Sequence, residues 1–107
     1  MKHEITRQGD VTVIALGGDV DLETSPKARE LLLAAVKDSR RVLVDLSGVS
    51  YIDSSGVATL VEALQTARKQ RGELALAAVS ESARRVFELA RLDKVFTIHA
   101  TVAEGLG

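Results

Sequence analysis

Val42-Leu43-Val44-Asp45-Leu46-Ser47-Gly48-Val49-Ser50-Tyr51-Ile52-Asp53-Ser54-Ser55-Gly56-Val57 is the most informative run of residues in the chain. Val42 to Leu46 is a short apolar segment of the kind expected in a central strand covered on both faces. Ser47 to Ile52 reads as a connector. Asp53, Ser54 and Ser55 supply the side-chain oxygens favoured at a helix start, and Val57, Leu60, Val61 and Leu64 follow at helical spacing. A buried strand therefore hands over to a helix, at the edge where open α/β sheets place their ligands.

Upstream, Val11 to Leu16 is β-branched and apolar and is closed by Gly17-Gly18, so it reads as a strand. A shorter strand around His3 to Arg7 precedes it across the turn Gln8-Gly9-Asp10. Ser25-Pro26 reads as an N-cap followed by proline at the first helical position, with Ala28, Leu31, Leu32 and Ala35 on one face of a helix ending near Asp38. Downstream, Arg71-Gly72 stops the helix that Asp53 opens, with glycine suited to a left-handed cap. Glu73 to Val79 is another strand. Ser80 caps a helix with Ala83, Val86, Phe87 and Ala90 on its core face. Val95 to Ile98 is a last strand, and Val102 to Leu106 adds a final helical turn. This order predicts one α/β domain over residues 1–107, with a mixed four- to five-stranded sheet packed by about four helices.

A chain of 107 residues with 46% hydrophobic content supports one packed core, and with 3% aromatics that core must be Leu, Val and Ala. Fourteen basic and fifteen acidic side chains give a net charge of −1, which offers no positive field for nucleic acid. The lack of cysteine excludes disulfides and cysteine-ligated zinc and fits a reducing compartment. No segment resembles a signal peptide or reaches the roughly 18 apolar residues of a membrane span. A soluble cytoplasmic protein without membrane insertion is expected.

Asp53-Ser54-Ser55-Gly56 has two readings. As a cap, it does no more than start a helix. As a site, it offers free N–H groups and the helix dipole to an anion. A phosphate on Ser54 would then be held locally while adding about −1.5 to −2 charges, and Gly56 would leave the backbone open to a partner. Catalysis is not expected: Ile52 stands where a nucleophile elbow needs glycine, and the only histidines, His3 and His99, lie near the two termini. Asp19, Asp21, Glu23 and Glu30 echo a calcium loop faintly, but Thr24 occupies the required glycine position, so no metal is expected and these carboxylates are placed in water. Gly17-Gly18 is no phosphate cradle, because neither a GxGxxG motif nor a P-loop lysine is present, and no cofactor is implied. Thr59, Glu62, Ala63 and Thr66 mark the exposed strip of the helix, which reads equally as a docking face or a solvated surface.

From Val44 to Val57 the chain resembles the STAS domain family, and within it the bacterial anti-sigma-factor antagonists. Gly17-Gly18-Asp19-Val20-Asp21 is similar to the family's stretch after the second strand, and Ala83 to Leu92 to its third helix. The resemblance implies partner switching. A serine kinase of the histidine-kinase-like ATPase type, itself an anti-sigma factor, phosphorylates the residue corresponding to Ser54. The unphosphorylated antagonist binds that kinase and frees sigma; phosphate releases it, and a serine phosphatase resets it. The same resemblance places Asp21, Asp53, Ser54 and Ser55 at the partner surface, and the open backbone at Gly56 and the helix strip at Thr59 add those two residues to it. The alternative it implies is a STAS subunit that docks on the ATPase of a lipid-type ABC transporter.

Overall fold

The computed structural model describes residues 1–107. Strand β1 (Lys2–Gln8) turns back through Gly9 into β2 (Val11–Val20), and helix α1 (Ser25–Asp38) leads to β3 (Arg41–Ile52). Helix α2 (Ser54–Lys69), β4 (Glu73–Ala77), α3 (Glu81–Leu89), β5 (Ile98–His99) and α4 (Val102–Leu106) follow. The sheet has the order β1-β2-β3-β4-β5, with β1 antiparallel to β2 and every later pair parallel. It is the mixed five-stranded sheet with four helices that the pattern of residues predicts.

Because strands β2 to β5 follow one another across the sheet, their helical crossovers pack on one side. Ile14, Val44 and Leu76 on that side join Leu32 of α1, Leu60 of α2 and Phe87 of α3 in the main core. As the composition requires, aliphatic residues fill most of it. Phe87 and Phe96 supply the two aromatic rings, meeting edge to face with centroids 5.5 Å apart. The opposite side holds a smaller cluster of Val11, Val13, Leu43 and Ala77, roofed by Val102 and Leu106 of α4. Arg29 of α1 grips Glu62 of α2 through both carboxylate oxygens at 2.7–3.0 Å.

Several boundaries differ from the sequence-based expectation. Gly17-Gly18 does not end β2, and Ser47 to Ile52 is not a connector. These turn-forming residues lie side by side in two paired strands, Gly17 opposite Gly48 and Gly18 opposite Val49, with register shifts that absorb the irregularity. Gly18 has φ +83°, open to glycine at little cost. Thr24, not Ser25, is the residue before α1; Ser25 is its first residue and is buried. The left-handed residue after α2 is Arg71 (φ 60°), not Gly72. Gly72 is needed for another reason: a Cβ there would lie 2.8 Å from the Arg40 carbonyl oxygen. Ala90 ends α3 on its exposed side, outside the core. The final strand is only Ile98–His99, and Val95 and Phe96 belong to the turn before it.

Candidate functional site

The extended ladder between β2 and β3 builds the site. Pairing runs up to Val20 and Ile52, and the Asp53 N–H donates to the Val20 carbonyl at 3.2 Å. Helix α2 therefore starts against the end of β2. Gly56 permits this contact, since a Cβ there would stand 2.7 Å from the Val20 carbonyl oxygen and 2.8 Å from Ile52. Gly56 is buried. Its lack of a side chain serves an internal approach of helix to strand and does not open the backbone to a partner.

Asp53 is the N-cap of α2. Its Oδ1 accepts from the Ser55 N–H at 2.9 Å, the Gly56 N–H at 3.1 Å and the Ser55 hydroxyl. These bonds, the Ser55 hydroxyl first and the Gly56 amide next, hold the Asp53 carboxyl below its ordinary range, because each favours the ionised form. The Leu22 amide adds a smaller contribution and brings the turn between β2 and α1 against the start of α2. That turn carries Asp21, whose Oδ1 accepts from the amides of Glu23 (3.0 Å) and Thr24 (3.1 Å). Each of the two aspartates thus organises the backbone at the start of a helix, at the same end of the sheet.

Ser54 is the first residue of α2, is exposed, and takes part in none of the hydrogen bonds that hold this turn. The expectation of a ready cradle for its phosphate needs correction. The Asp53 carboxylate already occupies the Ser55 and Gly56 amides, so a phosphate on Ser54 would stand beside a fixed negative charge and face water. Ser55 is partly buried with its hydroxyl committed to Asp53. Thr59 and Ala63 are buried, at 8% and 0% exposure, so the expected exposed strip does not include them. Thr59 instead donates its hydroxyl to the Ser55 carbonyl at 3.0 Å. The outward residues of α2 are Ser54, Ala58, Gln65, Arg68 and Lys69. His3 lies in β1 and His99 in β5, and neither joins the hydrogen bonds around Ser54.

Three features around this end of the sheet escape a reading of the sequence alone. Leu22, in the turn that touches Asp53, is 76% exposed, and Tyr51, before the end of β3, is 55% exposed. An apolar groove between α2 and α3 also begins at Ser54, with Ala58 and Ala90 in its walls. The spacing of Ser54, Ala58, Val61 and Gln65 on one helix was the available signal, but spacing alone could not name the facing wall. No helix is long and apolar enough to cross a membrane.

A family model described as the STAS domain matches residues 2–105. The anti-sigma-B factor antagonist of Listeria monocytogenes is 34% identical over 93 residues, which cover 86% of this chain and 82% of the relative. The anti-sigma-B factor antagonist of Staphylococcus aureus is 31% identical over 97 residues, 90% of either chain. The solved structure of an anti-sigma-factor antagonist (STAS) domain protein from Planctomyces limnophilus matches with a TM-score of 0.88 at 28% identity, covering 97% of this chain and 94% of that one.

Proposed function

Because the chain belongs to the STAS domain family, we propose that it is an anti-sigma-factor antagonist whose hold on an anti-sigma kinase is set by phosphate on Ser54. The names of its relatives support the first half of this reading. The observation that carries the second is the division of labour between neighbours: Asp53 fixes the helix start, and Ser54 is left exposed with its hydroxyl uncommitted. A phosphoacceptor needs that freedom, since its oxygen must enter another protein's active site.

In the proposed step, Ser54 Oγ attacks the γ-phosphorus of ATP held by the kinase. The bond to ADP breaks, and the hydroxyl proton passes to a base on the kinase. The product carries about −1.5 to −2 charges beside the ionised Asp53, and no helix amide of Ser55 or Gly56 is free to neutralise them. An interface fitted to a neutral hydroxyl becomes repulsive, the antagonist leaves, and a serine phosphatase restores the hydroxyl by hydrolysis. The protein's own role is that of a regulated ligand acting in the cytoplasm; the chemistry belongs to its partners. The relatives named as anti-sigma-B factor antagonists favour this reading over docking on an ABC transporter ATPase.

Incubation of the protein with its cognate kinase and ATP, followed by mass spectrometry, tests the assignment. One phosphate on the peptide containing Ser54, absent from Ser54→Ala, is the expected result. Equal incorporation into both proteins would contradict it.

A further inference from the structure

The end of the molecule opposite Ser54 carries a surface of another kind. Helices α2 and α3 each run back between two parallel strands, so both start at the Ser54 end and finish together at the far end. Arg68 and Lys69 close α2, Arg71 follows it, Arg91 follows α3, and Lys94 sits in the next turn. All five are exposed. Arg68 joins the two turns by donating to the Val95 carbonyl at 3.3 Å. We propose that this end of the protein docks on an anionic lipid bilayer, lying on its surface without inserting a helix. The docking surface stands apart from the phosphate switch proposed above and does not depend on it.

The ion pairs of the structure belong to Lys27, Arg29 and Arg41, and none of the five bases takes part in them. Their charge is therefore left to the surroundings, with Glu88 and Asp93 the carboxylates nearest in the chain. Attraction of bases to helix C-termini accounts for Arg68 and Lys69, in the last turn of α2. It does not account for the others: the last turn of α3 holds no base, and Arg71, Arg91 and Lys94 lie beyond the helices. Arg71 and Arg91 also occupy left-handed backbone, at φ 60° and 59°, where glycine is at ease. Arginine in both turns, at one end of the molecule, marks two side chains held there at a cost in backbone energy.

Apolar side chains decide which anionic surface fits. Leu89 is 87% exposed at the end of α3, and Val95 is 37% exposed beside Lys94. A bilayer interface accepts bases and apolar side chains together. Nucleic acid calls for exposed aromatic rings, whereas Phe87 and Phe96 are buried. A net charge of −1 would by itself oppose docking, but the charges are segregated. Helix α2 has sixteen residues and spans about 24 Å, about three Debye lengths at physiological salt. The ionised Asp53 at its start is thus screened from a surface that the five bases touch. Docked this way, Ser54 faces away from the membrane and stays open to a partner.

Co-sedimentation with vesicles of phosphatidylglycerol and phosphatidylcholine in equal parts, compared with phosphatidylcholine alone, is the experiment. At about 0.15 M salt the wild type should bind the anionic vesicles only, and about 1 M salt should release it. Arg71→Gly with Arg91→Gly removes two bases and relaxes two turns. That variant should melt no lower than the wild type and bind about twentyfold more weakly, about fivefold for each base. Lys94→Gln should weaken binding about fivefold, and Lys27→Gln, at the start of α1, less than twofold. No binding of the wild type to anionic vesicles, or equal binding by the wild type and the double variant, would overturn the proposal. Equal affinity of the wild type for duplex DNA at the same salt would show a general polyanion surface and overturn it too.

Discussion

At the residue scale, the site separates two tasks that the sequence presents as one. In Asp53-Ser54-Ser55-Gly56 any of the first three residues qualifies as an N-cap from its side chain alone. Geometry gives that task to Asp53, ties Ser55 to it, and leaves Ser54 free. The consequence for Asp53 is testable by NMR titration. Its carboxyl should titrate below the ordinary value of about 3.9, and Ser55→Ala, which removes the leading hydrogen bond, should move it upward. Because the folded value is the depressed one, this carboxylate stabilises the fold above the unfolded value, and the contribution is lost as pH falls through the folded value. An unchanged Asp53 titration in Ser55→Ala would show that the hydroxyl is not its main partner. Gly56 makes the opposite kind of prediction. Alanine inside a helix usually stabilises it relative to glycine, but here the added Cβ meets the Val20 carbonyl at 2.7 Å. Gly56→Ala should cost about 1–3 kcal/mol in denaturant unfolding, and a stabilised variant would mean that α2 is free to shift away from β2.

At the scale of elements, what could be read in advance depended on whether the signal was local. The apolar runs Val11–Leu16 and Val42–Leu46 and the helical stripe from Val57 announced their elements, because periodicity is written into each segment. The second half of β3 was hidden, since Ser47-Gly48 is turn-like by itself and becomes a strand only beside Gly17-Gly18, across the α1 crossover. Ser25 misled in the same way: its hydroxyl suits a cap, but the turn built by Asp21 and Thr24 moves the boundary one residue back. Helices α2 and α3 both end with an arginine in the left-handed region, Arg71 at φ 60° and Arg91 at φ 59°. The following amides bond back to Ala67 and Phe87, as a Schellman closure requires. Left-handed backbone costs a side-chain-bearing residue about 1–2 kcal/mol, part of which glycine returns as unfolded-state entropy. Arg91→Gly should therefore stabilise the protein by about 0.5–1 kcal/mol in chemical denaturation, and a loss of stability would show that the Arg91 side chain contributes more than the turn costs.

At the scale of the whole molecule, the helices on one side of the sheet give the site its setting. With α1, α2 and α3 packed together, Thr59 and Ala63 fall inside, and the outward surface of α2 narrows to a strip that starts at Ser54. The sequence could place Ser54 at a helix start, but not say which side of that helix its neighbours would cover. The α3 side of the groove is anchored by Phe87, which is fully buried against Phe96. Phe87→Ala should cost about 3–5 kcal/mol, a large share of the stability of a domain this size. Ser54→Ala should stay within about 0.5 kcal/mol of the wild type. Thermal melts of the two variants compare scaffold with switch, and a large loss in Ser54→Ala would place Ser54 in the scaffold. As the proposed switch, Ser54 must change partner affinity and leave the fold alone. The most direct measurement is the dissociation constant of the anti-sigma kinase for the unphosphorylated chain and for the same chain carrying phosphoserine at position 54. At least a hundredfold weaker binding of the phosphorylated form is expected; equal constants would contradict the switch.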